Sequence, residues 1–116
     1  MQNFIYPALF IPDEEEGGFV ITFRDLPEAI TQGESVEEGL IEAIDCLEEA
    51  IANRIVMDLP IPLPTPIDEQ EHAIPLSIQM AAKAALYLTI REVGITKVEL
   101  AKRLHCDEKE VRRLLD

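Results

Sequence analysis

The sequence predicts an α+β protein in which a β-β-β-α-β unit is followed by an all-α unit. Two short runs rich in β-branched and aromatic residues open the chain, separated by an acidic turn that ends in glycine. A long amphipathic helix with a capping box follows, and two more capping boxes lie close together near the C-terminus. With 116 residues, 47% of them hydrophobic, the chain has room for one core or a small core with an appended element.

The first two strands are predicted within FIYPALFIP (residues 4–12) and GGFVITFRDLP (residues 17–27). The intervening DEEEGG is typical of a tight turn, so the two runs predict a hairpin. AITQG (residues 29–33) predicts a shorter third strand. Strand order beyond the first hairpin has no local signal.

Ser35 is expected to begin the long helix, because Glu38 stands three positions later, at capping-box spacing. Gly39 lies inside the predicted helix and costs about 1 kcal/mol of helix propensity relative to alanine. Two explanations are open: the glycine lets the helix approach the sheet closely, or the helix tolerates a glycine that has no structural role. Apolar residues recur at helical intervals and predict the inward stripe: Val36, Leu40, Ala43, Ile44, Leu47, Ile51 and Ile55.

Residues 58–72 begin with four prolines in nine positions and predict an extended linker, because proline cannot continue a helix. A last strand is expected at residues 73–76, and a second capped helix runs from Ser77 to a natural C-cap at Gly94. We therefore divide the chain into residues 1–72, which end in the linker, and residues 73–116. The inward residues predicted for the second helix are Ile78, Ala81, Ala85, Leu88 and Val93.

The C-terminal segment has the layout of a helix-turn-helix. Thr96 with Glu99 forms one capping box and Asp107 with Glu110 forms the next, which leaves residues 104–106 as the turn. The helix from Ser77 supplies the third member of a trihelical unit.

Steps of 100° along the last helix place Val111, Leu114 and Leu115 on one side and the cations on the other, where a recognition helix meets the DNA major groove. An ordinary solvated face, with cations favoured near a helix C-terminus, is the alternative. Glu108 and Glu110 weaken the grip of a monomer, so DNA binding predicts self-association as a dimer or tetramer. The predicted DNA-binding residues are Thr96, Lys97, Lys109, Arg112 and Arg113.

Charge divides the chain into two parts. The formal net charge is −13, but residues 1–76 hold 17 acidic and 2 basic residues, a charge of −15, whereas residues 77–116 carry +2. An acidic body of this density repels phosphate backbones and attracts a basic protein.

The run GGFVITFRDLPEAITQGESVEEGLIEAIDCLEEAI, followed by IPLPTP, resembles the HicB antitoxins, and so do ITKVELAKRL and EVRRLLD near the C-terminus. The resemblance implies an N-terminal domain similar to a partial ribonuclease H fold that blocks a small HicA toxin. HicA proteins are mRNA-cleaving ribonucleases with a fold like that of double-stranded-RNA-binding domains. Family members with a C-terminal helix-turn-helix also bind and repress their own operator.

Within this interpretation the acidic residues of the first unit are the expected contacts for a basic toxin. They are Glu14, Glu15, Glu16, Asp25, Glu37, Glu42, Asp45 and Glu49. Two features depart from the family pattern. His105 stands where many helix-turn-helix sequences have glycine, and the chain ends at Asp116 directly after the predicted last helix, which suggests a C-terminal truncation.

Catalysis is not expected. Ribonuclease H chemistry requires carboxylates that converge on two metal ions about 4 Å apart, and only Asp25 stands near a strand end as a framework acid. We expect no cofactor and no metal: His72 beside Asp68, Glu69 and Glu71 favours a solvated acidic linker over a metal site. Cys46 is expected in the core and Cys106 half-buried, neither with a histidine partner for nucleophilic work.

A cytoplasmic location is predicted, because no apolar run reaches the roughly 18 residues of a membrane span and no leader precedes the first strand. The competing interpretation is a transcription regulator whose acidic domain senses a small ligand or an unrelated protein. A short basic reading frame beside the gene would favour the antitoxin.

Overall fold

The computed structural model describes residues 3–103 and 108–115. These residues form an antiparallel sheet and four helices. Across these residues the strands are β1 (Ile5–Pro12), β2 (Phe19–Phe23), β3 (Ile30–Gly33) and β4 (His72–Pro75). The helices are α1 (Val36–Val56), α2 (Ile78–Val93), α3 (Lys97–Arg103) and α4 (Glu108–Leu115). The mixed α and β content and the order of elements agree with the prediction.

The sheet has the strand order β3-β2-β1-β4, with every neighbouring pair antiparallel. The predicted β1–β2 hairpin is confirmed, with Ala8 opposite Phe23 and Pro12 opposite Phe19. Strand β4 returns beside β1, and the Leu76 amide donates to the Phe4 carbonyl at 3.0 Å. The sheet therefore extends to Pro75, three residues past position 72.

Helix α1 begins as predicted, because the Ser35 hydroxyl accepts a hydrogen bond from the Glu38 amide at 3.1 Å. The inward stripe is confirmed at Ala43, Leu47, Ile51 and Ile55, and Leu40 and Ile44 are half-buried against the core. The prediction for Val36 is wrong: this residue is exposed, because it lies in the first turn of α1, ahead of Gly39, where the buried face of the helix begins.

Two glycines set how closely α1 approaches the sheet. A Cβ added at Gly33 on β3 would lie 2.6 Å from the Gly39 Cα, and one at Gly39 would lie 2.7 Å from the Phe10 ring. Real Cβ atoms do not come this near to backbone, so the strand end and the helix touch main chain to main chain. The predicted close approach at Gly39 is confirmed.

The proline-rich segment after α1 is held against the first unit by side chains that reach its carbonyls. The Tyr6 hydroxyl donates to the Pro62 carbonyl at 2.7 Å, and Arg54 donates to the Pro60 carbonyl at 2.8 Å. Proline has no backbone N–H, so a proline-rich segment has few donors of its own. Its carbonyls therefore need donors from other parts of the chain when they are removed from water. The extended linker is therefore fastened to the sheet and to α1.

The junction between α1 and this segment is bound by α2. Asp58 holds a left-handed backbone conformation with φ of 57°, and Arg91 donates to both its carbonyl and its carboxylate at 3.0 Å. The Tyr87 hydroxyl donates to the Leu59 carbonyl at 2.7 Å. Helix α2 thus ties the C-terminal helices to the end of α1.

The ends of α2 are as predicted, but its inward face is only partly so. Ser77 caps the first turn by accepting from the Met80 amide at 3.1 Å, and Gly94 ends the helix with φ of 74°. Ala84 and Tyr87 are the buried residues, and the predicted Ala81 and Leu88 are half-buried against the core. The predicted Ile78, Ala85 and Val93 are exposed. The buried face is rotated because α2 packs on α1 and α4 rather than on the sheet.

Apolar residues of the sheet, α1 and the C-terminal helices belong to one continuous core. Leu100, Ala101, Val111 and Leu115 join the cluster that contains Tyr6. Helix α2 packs on α1, and α4 packs on α2 and α3, so α2 connects the last two helices to the first unit. Within the described chain, no helix combines the length and the apolarity that crossing a membrane demands.

We predict that Gly33→Ala lowers the free energy of unfolding by about 1–3 kcal/mol, the usual cost of overpacking. The added methyl group meets backbone, which cannot move without displacing α1. Gly39→Ala is the matched comparison: it meets flexible side chains and regains about 1 kcal/mol of helix propensity, so its net loss is smaller. Urea unfolding of both variants measures this order, and equal stability of Gly33→Ala and the unmodified chain would contradict the close approach.

We predict that Tyr6→Phe costs about 1 kcal/mol near neutral pH, because the Pro62 carbonyl loses its donor. Burial, and secondarily the Asp25 charge, raises the pKa of Tyr6 to about 12 from 10.0. A raised pKa favours the neutral phenol in the folded state, so this contribution is complete below pH 10 and is lost as pH rises towards 12. Urea unfolding at neutral and at alkaline pH should show a smaller alkaline loss in Tyr6→Phe than in the unmodified chain.

Candidate functional site

The first candidate site is an open cavity of about 420 Å³ between the β1–β2 turn, β3 and the start of α1. None of the described residues lining it is basic. We call it the acidic cavity and define it by its five carboxylates: Asp13, Glu16, Glu34, Glu38 and Glu42. The arrangement concentrates negative charge at one end of the sheet.

Local structure holds the Asp13 carboxylate in place. The Asp13 carboxylate accepts hydrogen bonds from the amides of Glu15 and Glu16 at 3.1 and 3.2 Å. Gly17 and Gly18 close the turn with φ of 80° and 71°, a conformation that favours glycine. The turn is therefore a built structure that presents Glu16 to the cavity.

The eight predicted toxin contacts do not form one surface. Glu16 and Glu42 line the acidic cavity, and Glu14 and Glu15 lie in the same exposed turn. Three others are exposed on the outer side of α1: Glu37, Asp45 and Glu49. The structure therefore brings four of the eight to one end of the sheet and leaves three along the helix.

Asp25, the remaining member of that set, is engaged inside the first unit. Its carboxylate accepts hydrogen bonds from the Thr65 amide at 2.9 Å and from the Thr65 hydroxyl at 2.9 and 3.0 Å. These bonds fasten the proline-rich segment beyond β2. Spacing and periodicity carry no signal for this pair, because the two residues lie 40 positions apart.

Three cavity carboxylates were missed by the sequence interpretation, namely Asp13, Glu34 and Glu38. Asp13 and Glu34 become neighbours only because β2 pairs with both β1 and β3, which brings the ends of β1 and β3 together. A usable signal was present at Asp13, since an aspartate that begins a glycine-ended turn is typical of a side chain that caps it.

The second candidate site is the outer side of α4. Val111 is fully buried and Leu115 is 6% exposed, whereas Lys109, Arg112 and Arg113 are exposed, as the helical spacing predicted. Arg113 also lines a cavity with Glu48 of α1 and Lys83 of α2, so it lies on the side of α4 nearest the first unit.

Helix α3 starts at its predicted cap, because the Thr96 hydroxyl accepts from the Glu99 amide at 3.1 Å. Thr96 itself is exposed. The predicted turn at residues 104–106, with His105 and Cys106, and Asp107 of the last capping box lie outside the described residues, as do the side chains of Lys97, Glu110 and Leu114.

Residues considered for metal binding or nucleophilic chemistry have other surroundings. His72 lies against Phe10 with ring centroids 4.4 Å apart, and Glu71 receives two hydrogen bonds from Arg24 at 2.6 and 3.1 Å. Burial, with the nearby Glu49 charge, raises the pKa of the half-buried Cys46 thiol, which disfavours the reactive thiolate. Among the described residues, no group of three or more His, Cys, Asp and Glu is placed to hold a metal ion.

Comparison with known proteins identifies the family to which this chain is similar. A family model described as a HicB_like antitoxin of bacterial toxin-antitoxin system matches residues 5–85, which span the sheet, α1 and half of α2. The chain belongs to this family of antitoxins.

Relatives in the family cover the C-terminal helices as well. Antitoxin HicB 1 of Photorhabdus laumondii is 36% identical over 116 residues, which is all of this chain and 73% of the relative. Antitoxin HicB of Escherichia coli K12 is 36% identical over 111 residues, 96% of this chain and 80% of the relative. Antitoxin HicB of Pseudomonas fluorescens is 34% identical over 104 residues, 89% of this chain and 71% of the relative.

Membership of the family makes a toxin the expected kind of partner. The family match contains the whole acidic cavity, whereas α3 and α4 lie beyond it. The two candidate sites therefore belong to different parts of the antitoxin, in agreement with the division of charge along the chain.

Proposed function

We propose that this antitoxin neutralises a HicA-type mRNA-cleaving ribonuclease through its N-terminal unit, residues 1–72, and that its C-terminal helices bind the operator of the same operon. The observation that carries the first part is the acidic cavity, where five carboxylates meet without a basic residue among the described lining. The chain itself has no catalytic role in this proposal.

The cavity supports binding of a basic protein on electrostatic grounds. A ribonuclease that grips RNA must present cations to phosphates, and a surface that carries fixed carboxylates competes for those cations. The turn fixes the Asp13 carboxylate and the backbone of Glu16, and α1 fixes the backbone of Glu38 and Glu42. Less conformational freedom is therefore lost when cations bind than on a flexible segment.

The operator-binding part rests on the orientation of α4. Leucine and valine face the core, which directs Lys109 and Arg112 to the outside, where a recognition helix would contact phosphates and base edges. Thr96 and Lys97 are further proposed contacts, and Arg113 would contribute from the side of α4 nearest the first unit. A dimer or tetramer that presents two or more copies of α4 would supply the affinity that one short helix lacks.

We predict that Glu16→Gln with Glu42→Gln slows association with the toxin about tenfold at low salt, because charges near an interface act mainly on the association rate. Glu69→Gln with Glu92→Gln removes the same charge from exposed positions away from the cavity and should change the rate less than twofold. Stopped-flow mixing with a purified HicA-type protein, across salt concentrations, measures both.

The same protein pair tests the proposed function as a whole. The unmodified antitoxin should suppress RNA cleavage by the HicA-type protein at equimolar concentration. A complex that still cleaves RNA would exclude neutralisation, and failure of any complex to form would favour a regulator whose acidic unit senses another ligand.

We predict that Arg112→Ala weakens operator binding by about 1–3 kcal/mol if the guanidinium contacts a base, and by less if it contacts a phosphate. Lys102→Ala on α3 removes the same charge and serves as the comparison. Titration of the operator by fluorescence anisotropy measures the loss, and toxin neutralisation should be unchanged. A simultaneous loss of neutralisation would contradict the division between the two units.

A further inference from the structure

The sheet has a second face, and it is apolar. Residues directly opposite each other in an antiparallel sheet point to the same side. Two rows of side chains therefore cross β1, β2 and β3 on the face opposite α1. One row is Leu9, Thr22 and Ile30, and the other is Ile11, Val20 and Gln32. We define these six residues as the open face.

Helix α1 covers the other side of the sheet. Gly39 contacts Phe10 and Ile21, a pair that alternates with the residues of the open face along β1 and β2. The side chains of the open face remain accessible in the described chain: Ile30 is 61% exposed, Ile11 44% and Leu9 37%. An antiparallel sheet with one solvated face normally presents polar residues there, so four aliphatic side chains among six positions require an explanation.

The open face ends where the acidic cavity begins. Gln32 belongs to the open face and also lines the cavity, and the turn that carries Asp13 and Glu16 follows directly after Ile11 and Pro12. Neighbouring strands lie about 4.8 Å apart, and successive residues on one face of a strand lie about 7 Å apart. The apolar side chains and the carboxylates are therefore close enough to fit within one protein interface. A single partner can therefore meet both surfaces.

Charge selects the class of partner. A second copy of this chain would bring another unit of formal charge −15 against the carboxylates at the edge of the open face, and this repulsion disfavours a symmetric contact there. A cationic protein with an apolar surface gains from both parts. Apolar anchors at the centre with charges at the rim are the usual anatomy of a protein interface.

We propose that the open face is the docking surface for the toxin, with Leu9, Ile11 and Ile30 as its apolar anchors and the acidic cavity as its charged rim. The proposal rests on the proposed function and adds the surface on which it acts. The outer side of α1, with Glu37, Asp45 and Glu49, then faces away from the toxin.

Two isoleucines make a matched test. Ile30 on the open face and Ile41 on the outer side of α1 are 61% and 60% exposed, so replacing either by glutamine removes a similar apolar surface without changing charge. Ile30→Gln should raise the Kd for a purified HicA-type toxin at least tenfold, and adding Ile11→Gln should raise it further. Ile41→Gln should leave it within twofold, and thermal melting establishes that each variant is folded.

Footprinting of the unmodified chain gives a second measurement that does not depend on the folding of a variant. Hydroxyl-radical oxidation of Leu9, Ile11 and Ile30 should fall several-fold when the toxin is added, and oxidation of Ile41 should not change. Protection of Ile41 with continued oxidation of Ile11 and Ile30 would overturn the proposal and place the toxin on α1. Protection of the open face before toxin is added, rising with protein concentration, would also overturn it and identify a contact between copies.

The outcomes separate this proposal from the proposed function. If the unmodified antitoxin binds the toxin and suppresses RNA cleavage while the open-face variants bind equally well, only the docking surface is wrong. If the unmodified antitoxin does not bind the toxin at all, the proposed function is wrong and the docking surface falls with it.

Discussion

The contact between the end of β3 and the second turn of α1 is the constraint on which the rest of the structure depends. Gly33 and Gly39 allow main chain to meet main chain, and any larger residue would separate helix from sheet. The contact lets α1 lie flat on Phe10 and Ile21 and bury Ala43, Leu47 and Ile51. It also places Glu38 and Glu42 beside the β1–β2 turn, and so it forms the acidic cavity.

Because α1 covers one face of the sheet, the open face on the other side stays exposed. In a monomer an apolar open face would only expose surface to water, which is unfavourable by about 25 cal/mol for each Å². In an antitoxin the same surface can be buried by the toxin. The family membership and the position of the acidic cavity at the edge of the open face support one interface with apolar and electrostatic parts.

The two charged ends of the molecule are joined more closely than a flexible linker would allow. Tyr6, Arg54 and Thr65 fasten the proline-rich segment to the first unit, and Arg91 and Tyr87 bind the turn at Asp58. The C-terminal helices share the core of the sheet and α1. If the operator-binding proposal holds, this connection sets the position of bound toxin relative to the operator.

The sequence by itself determined what depends on near neighbours: the β1–β2 hairpin, the caps at Ser35, Ser77 and Thr96, and the separation of Val111 and Leu115 from the cations of α4. These follow from contacts within a few residues, which turn and helix geometry dictate. The family resemblance was also readable, because its motifs are linear. Only the tertiary structure decided which face of α2 is buried, that Val36 is exposed, that Asp25 binds Thr65 and that Asp13, Glu34 and Glu42 meet around one cavity. The physical reason is that these features arise from strand pairing and helix packing between residues that are distant along the chain, for which periodicity and spacing carry no signal.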